Sequence, residues 1–360
     1  MATRPRDRRR QVLAAAARLF WQHGFHRVGM SDIAAEVGIG ASALYRHFRG
    51  KEDLLAAVVD ESLDWLEAVL AAAPLDVEGT MTAVAEVVLA RREFGVLWDR
   101  EGWHLSVDQR RAVRRRLRID VERVALSLAD QGLLRARAIT AVLASVSYHR
   151  YDVTAVELRR VADALIAVEL PAVPSLSFVD GKDPQAVVSR REAVLVAACR
   201  LFASRGSSSV SIADIAAAAG IAAPTVYNHF ASKQDLLAAA LSRGTESMWL
   251  SLHHILRTAD GPSGALTRAV DAYFLFATEN PDLVRLLLTE VVADDSLDRD
   301  RREYALELVA LLQRARPGLP ADLAGTLVLG AVGVINAMTH VPELRGRSEI
   351  AVFAHAVLWS

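Results

Sequence analysis

Residues 32–55 read DIAAEVGIGASALYRHFRGKEDLL, and residues 214–237 read DIAAAAGIAAPTVYNHFASKQDLL. The two stretches belong to a longer repeat, 18–55 and 200–237, in which 19 of 38 positions are identical at a constant offset of 182 residues, without a gap. Chance alignment of two alanine-rich helices does not give such a match, and self-similarity at a fixed offset indicates a repeated structural unit. The sequence therefore predicts two copies of one module.

Each copy has the pattern of three short helices. In the first copy, apolar residues from Val12 to Phe20 follow helical spacing and Gly24 comes soon afterwards, as expected of a glycine that ends a helix. A second helix over about Met30–Val37 ends at Gly38, and a third begins about three residues later. Two short helices joined by a glycine turn are typical of a helix-turn-helix, whose second helix enters the major groove of DNA.

Capping residues mark the helix starts in both copies. Ser211 and Asp214 form an acidic variant of the capping box at the second helix, where the first copy has Gly29 and Asp32. A further cap precedes a long helix, which in each copy begins next to a lysine, Lys51 or Lys233. Because a helix N-terminus offers backbone donors to phosphate, we expect these lysines to clamp the DNA backbone.

The string from Asp32 to Leu55 resembles the N-terminal domain of TetR-family regulators, and residues 214–237 resemble it equally well. The resemblance implies an all-α chain of two TetR-like halves, each with a three-helix DNA-binding domain and a C-terminal helical domain for ligand binding and dimerisation. It places recognition helices at Ala41–His47 and Ala223–His229. The chain departs from the family where a serine usually opens this helix, because Gly40 and Ala222 stand there.

The resemblance and the basic arm that precedes the first helix together give a set of candidate DNA-binding residues. In the first half they are Arg8, Arg9, Gly40, Ala41, Ser42, Ala43, Tyr45, Arg46, His47 and Lys51, and in the second half Arg190, Ser211, Ala222, Ala223, Pro224, Thr225, Tyr227, Asn228, His229 and Lys233. For both tyrosines, a core position is the alternative to a phosphate contact.

The repeat also predicts the domain boundaries. We expect DNA-binding domains at 1–57 and 187–239 and helical regulatory domains at 58–170 and 240–360. The stretch 171–186 between the halves is rich in proline, serine, glycine and aspartate, which is typical of a linker.

Composition limits the class of protein. Lys and Arg total 42 against 43 Asp and Glu, so a nucleic-acid-binding surface must come from local clustering of charge. The start of the chain lacks the apolar core of a secretion signal, and the apolar stretch Leu323–Thr339 falls short of the ~20 residues of a spanning helix. We therefore expect a cytoplasmic protein without a membrane partner.

The sequence gives little support to an enzyme. No metal-ligand cluster, phosphate-binding loop or nucleophile motif stands out. Residues 38–43 match a dinucleotide-binding fingerprint formally, but no strand precedes them and they lie inside the helix-turn-helix. We predict no cofactor, no metal and no enzymatic activity.

In the family, an apolar cavity in the C-terminal helices binds a small molecule that changes the spacing of the DNA-binding units. The resemblance therefore implies an effector pocket, for which ordinary core packing is the alternative role of each candidate. The candidates are Trp98, Trp103, His104 and Tyr148 in the first half and Tyr273, Phe274, Phe276 and Glu290 in the second.

The sequence thus predicts a sequence-specific regulator of transcription, expected to be a repressor, with a double-stranded DNA operator and an unidentified small effector as partners. We expect the halves to pack as an intramolecular pseudo-dimer on an imperfect palindrome. Two alternatives stay open: a tandem chain that forms a homodimer, and a helical ligand-binding or scaffold protein in which one or both helix-turn-helix units have lost DNA binding.

Overall fold

The computed structural model describes residues 5–74, 76–128, 132–171, 189–290 and 295–360. These residues form helices and turns, with no β-strand among them. Internal contacts divide the chain into two compact units. The first comprises the chain up to Arg150 together with Thr154–Ala162, and the second comprises Tyr151–Val153 together with Asp163–Ser360.

The first unit begins with the helix-turn-helix module, here called the first module: α1 (Pro5–His23), α2 (Met30–Glu36) and α3 (Ala41–Tyr45). The helices that follow are α4 (Lys51–Ala72), α5 (Val77–Ala90), α6 (Phe94–Asp99), a 3₁₀ turn (Glu101–His104), α7 (Val107–Leu126), α8 (Gly132–Ser145), a 3₁₀ turn (Val146–Tyr148) and α9 (Ala155–Ala167). The last five residues of α9, 163–167, are grouped with the second unit.

The second unit repeats this order. Its second module comprises α10 (Arg190–Arg205), a 3₁₀ turn (Ser207–Ser209), α11 (Ile212–Ala218) and α12 (Ala223–Tyr227). The remaining helices are α13 (Lys233–Thr258), α14 (Gly261–Glu279), α15 (Pro281–Thr289), α16 (Asp295–Ala315), α17 (Ala321–Thr339) and α18 (Glu349–Leu358). All but Pro171 of the expected linker lies outside the described residues.

The turn between the last two helices of each module depends on a glycine. Gly38 has φ +69° and Gly220 has φ +68°, in the left-handed region that side chains other than glycine rarely adopt. Each glycine lets the chain reverse directly after α2 or α11. The predicted glycine turn is therefore present in both modules.

Each module shares its apolar core with residues of the domain that follows it. In the first unit, buried residues such as Phe20, Ile33 and Leu44 form one cluster with Leu97 of α6. In the second unit, the corresponding cluster joins the residues of α10–α12 to Leu283, Leu286 and Leu287 of α15. Helices α6 and α15 therefore connect a module to the rest of its unit.

The expected recognition helices are two residues too long. Helix α3 ends at Tyr45 and α12 at Tyr227, and the following residues make a turn in which the His47 amide donates to the carbonyl of Leu44 at 3.0 Å. The helix ends because the chain must turn to bury Phe48, which is 3% exposed.

Helix α17 is long and apolar enough to cross a membrane by length and composition alone, with a mean hydropathy of 1.6. In this fold, 61% of the most apolar 18-residue stretch of α17 is buried inside the protein. The helix therefore packs as a core helix of the second unit, although at 19 residues it is longer than the apolar stretch 323–339 from which the sequence predicted that it is too short to span a membrane.

Candidate nucleic-acid interface

The tyrosines of α3 and α12 lie on the protein surface. Tyr45 is 55% exposed and Tyr227 is 56% exposed, so neither ring is a core residue. Leu44 and Val226, the residues that precede them, are fully buried and anchor each short helix to its module. The outer face of both helices is thus free to contact a large partner.

The predicted contact residues on and around α3 and α12 fall into two groups according to their exposure to solvent. The exposed group contains Gly40, Ser42, Tyr45, Arg46 and His47 in the first module and Ala222, Pro224, Tyr227, Asn228 and His229 in the second. The half-buried group contains Ala41, Ala43, Ala223 and Thr225. At the same offset of 182 residues, the exposed faces keep Tyr and His but exchange Arg46 for Asn228.

The arginines that open each module are arranged in the same way. The guanidinium of Arg9 lies 5.6 Å from the ring centroid of Phe48, and that of Arg191 lies 4.9 Å from the ring centroid of Phe230. These cation–π contacts place a positive charge beside a phenylalanine that lies three residues after the end of the recognition helix. Arg191 stands at the offset of 182 from Arg9, but the candidate DNA-binding residues include only its neighbour Arg190.

Two other basic residues flank these arginines. Arg8 reaches the carbonyl of Val37 at 3.4 Å, and its counterpart Arg190 is exposed. The first four residues, including Arg4, lie outside the described residues, and the side chain of Arg6 is not described. The described arginines lie inside the first turns of α1 and α10 and not, as the sequence predicted, in an arm before the helix, because the helix already begins at Pro5 or Arg190. They still place positive charge close to the exposed face of each module.

The lysines at the starts of α4 and α13 point inward. The ammonium of Lys51 donates to the carbonyl of Phe25 at 2.7 Å, and that of Lys233 donates to the carbonyls of Ser207 at 2.8 Å and Val210 at 3.0 Å. Both lysines are half-buried. Each one therefore holds the turn between the first two helices of its module, with at most its remaining N–H groups left for phosphate.

The predicted caps are present at α2 and α11. The amide of Gly29 donates to Asp32 at 2.7 Å, and in the second module Ser211 and Asp214 bond reciprocally, with the Ser211 hydroxyl 2.6 Å from the carboxylate. This bonding lowers the pKa of Asp214. The hydroxyl of Ser211, a candidate for DNA contact, is thus engaged in capping α11.

The effector candidates of the first unit lie near the module. Trp98 packs against the module core, and His104 stacks on Phe25 with ring centroids 4.1 Å apart. Burial, with His26 and Lys51 nearby, lowers the pKa of His104 to about 4. Two further candidates have other neighbours: Trp103 lies under the guanidinium of Arg110, and Tyr148 donates to Asp99 at 2.7 Å.

The effector candidates of the second unit occupy different places. Tyr273 and Phe274 are buried in α14, and Tyr273 donates to the side-chain oxygen of Asn336 at 2.7 Å. Burial raises the pKa of Tyr273 to about 12. Phe276 packs against the module core, and Glu290 accepts two hydrogen bonds from Ser207.

Sequence reasoning missed Tyr304, which lies close to Tyr273, and its neighbour Trp249. Burial and the proximity of Tyr273 raise the pKa of Tyr304, whose ring meets Trp249 edge-on at 5.6 Å. Asn336, a single amide in an apolar helix, was the signal that could have indicated this region. The described residues contain no cluster of His, Cys, Asp and Glu that could hold a metal ion.

Comparison with known proteins agrees with the duplicated module. The family model described as bacterial regulatory proteins, tetR family, matches residues 12–58 and again residues 194–240. The HTH-type transcriptional activator FasR of Mycolicibacterium smegmatis is 34% identical over 149 residues, which cover 40% of this chain and 68% of that protein. The chain therefore belongs to the tetR family, and it is a DNA-binding transcription regulator that carries the family module twice.

Two further proteins are similar to part of this chain. The HTH-type transcriptional repressor KstR2 of Mycolicibacterium smegmatis is 30% identical, with 33% of this chain and 65% of that protein covered. The solved structure of the ketosteroid transcriptional regulator KstR2 of Mycobacterium tuberculosis is 22% identical, with a TM-score of 0.44, and covers 48% of this chain and 95% of its own.

Proposed function

We propose that both modules read DNA and that the operator is an imperfect palindrome. The observation that carries this proposal is the pair of exposed faces on α3 and α12, which share tyrosine and histidine but differ between Arg46 and Asn228. Arginine pairs bidentately with guanine in the major groove, whereas asparagine pairs with adenine. Two grooves read by different side chains require two different half-sites.

The fusion of two modules in one chain supports binding as a single-chain pseudo-dimer. Half-sites read by a two-fold arrangement lie one or more turns of DNA apart, at roughly 34–36 Å per turn. A covalent link keeps the second module at a high effective concentration once the first is bound. The alternative, in which two chains pair on a longer site, predicts twice the bound mass per operator.

A small apolar effector is the proposed regulator of this binding, with the surroundings of Tyr273 and Asn336 as its site in the second unit. That site pairs one buried hydroxyl with one buried amide among apolar helices, as in many ligand sites with few polar groups. We propose that the protein acts in the cytoplasm as a repressor. Because its relatives include an activator and a repressor, a reporter gene with and without the protein tests the direction.

Selection from a random-sequence DNA pool tests the proposed operator. The wild-type chain should recover two unequal half-sites. The variant Arg46→Asn, which gives the first module the residue of the second, should recover a more symmetric site. Arg115→Asn, at an exposed arginine of α7, serves as a matched control that leaves both faces unchanged. A perfectly symmetric site recovered by the wild-type chain would contradict the proposal.

A further inference from the structure

Ser207 is held from two sides in the second module. It begins the turn that leads from α10 to α11, and its amide and hydroxyl donate to the two carboxylate oxygens of Glu290 at 2.8 and 2.6 Å. Its carbonyl accepts from Lys233 at 2.8 Å. One residue of the turn is therefore bonded both to the end of α15 and to the start of α13.

The contact with Glu290 joins the second module to a regulatory helix. Glu290 directly follows α15, whose Leu283, Leu286 and Leu287 lie in the module core. Apolar packing alone is not directional, whereas a carboxylate that accepts two charge-assisted hydrogen bonds fixes both position and orientation. A shift of α15 would thus move the turn, and with it α11.

The first module lacks the counterpart of this pair of hydrogen bonds between Ser207 and Glu290, here called the clamp. Phe25 stands where the second module has Ser207, and Lys51 holds its carbonyl as Lys233 holds that of Ser207. Phe25 has no hydroxyl, and its ring stacks instead on His104 at 4.1 Å. The lysine contact is thus common to both modules, whereas among the described residues the pair of hydrogen bonds to a carboxylate is found in the second module only.

We propose that Glu290 is a positioning residue for DNA recognition, which holds α11 and α12 in the orientation that the second half-site requires. Glu290 acts through Ser207 and does not touch DNA. The inference rests on the proposed function in one respect, namely that α12 reads a half-site. Under this proposal the two halves differ in the contact made at this turn. The second half uses hydrogen bonds to a carboxylate, and the first half uses the stacking of Phe25 on His104.

The test compares Glu290→Gln with Glu279→Gln, a matched control at an exposed glutamate of α14. The probe is the duplex that the wild-type chain selects from random-sequence DNA, together with versions in which one half-site is scrambled. Glu290→Gln should weaken binding about tenfold, or 1.4 kcal/mol, when the second half-site is present, and should leave affinity for the first half-site alone unchanged. Equal affinities for the two variants would overturn the proposal.

Amide hydrogen exchange of the free full-length protein supplies a readout that needs no DNA. Glu290→Gln should speed exchange in α11 and α12 about tenfold while α2 and α3 keep the wild-type rate, and Ser207→Ala combined with it should add little. Unchanged exchange in α11 and α12 would overturn the clamp. If the wild-type chain selects no DNA, the proposed function fails, and the exchange data still decide whether Glu290 holds the module.

Discussion

Lys51 and Phe25 are joined twice. The lysine ammonium donates to the phenylalanine carbonyl at 2.7 Å and lies 4.3 Å from the centroid of its ring. A charge-assisted hydrogen bond and a cation–π contact at a half-buried site together stabilise the turn of the first module.

Replacement of this lysine should therefore destabilise the fold. Lys51→Met should lower the free energy of unfolding by about 1–2 kcal/mol, because both contacts are lost. Arg46→Met, which removes an exposed cation, should change it by less than about 0.5 kcal/mol. Denaturant unfolding measures both, and equal values for the two variants would contradict the role of Lys51 in the turn.

Much of the fold follows from local sequence patterns. Helix starts were predicted at Met30, Lys51 and Lys233, because a cap residue, an acidic partner three positions later and apolar spacing are local signals. The glycine turns at Gly38 and Gly220 follow for the same reason.

The direction of a side chain does not follow from local patterns. Lys51 and Lys233 were expected at phosphates, but whether an ammonium points outward depends on which carbonyl the fold brings beside it. The pairing of Tyr273 with Asn336 joins residues 63 positions apart, which no spacing rule predicts. Glu290 was expected in an effector pocket and lies instead against Ser207.

Asp120 predicts a pH dependence of stability. This residue of α7 is 5% exposed, one of its carboxylate oxygens has no hydrogen-bond partner, and burial and the nearby Glu67 raise its pKa to about 6. The folded chain holds the proton of the Asp120 carboxyl group more tightly than the unfolded chain does, so protonation of Asp120 stabilises the fold. This contribution to stability is complete below about pH 4 and is lost as the pH rises through 6.

The variant Asp120→Asn should therefore be more stable than the wild type at pH 7 by about 1–2 kcal/mol, with the difference shrinking toward pH 4. Asp108→Asn, at an exposed position of the same helix, should show no such trend. Parallel unfolding curves at pH 4, 6 and 7 measure the effect, and a destabilised Asp120→Asn at pH 7 would contradict the assignment.

The lowered pKa of His104, which also lies in the first unit, predicts the opposite dependence of stability on pH. Its pKa is lowered to about 4, so the neutral ring is favoured in the fold, and stability should fall as the pH drops from about 6.5 to 4. His104→Phe keeps a ring on Phe25 and should remove about 2 kcal/mol of this acid sensitivity. His23→Gln, at an exposed histidine, is the control. An NMR titration that gave His104 a midpoint near pH 6.5 would contradict the prediction.

The buried hydrogen bond between Tyr273 and Asn336 predicts that removal of the tyrosine hydroxyl destabilises the protein. Tyr273→Phe leaves the side-chain oxygen of Asn336 without its donor, which should lower the free energy of unfolding by about 1–3 kcal/mol. Tyr227→Phe removes an exposed hydroxyl and should have little effect on stability. Calorimetry compares the two variants, and equal melting temperatures would show that the hydrogen bond contributes nothing.

The central claim is that two modules in one chain read DNA together. The most direct measurement is binding to DNA from the protein's own promoter region, at two salt concentrations, for the wild type, Tyr45→Ala, Tyr227→Ala and the double variant. We predict selective, salt-sensitive binding that either single variant weakens about tenfold, because each loses phosphate and base contacts in one groove. Loss from only one variant, or no selective binding at low salt on the promoter or a random pool, would contradict the account.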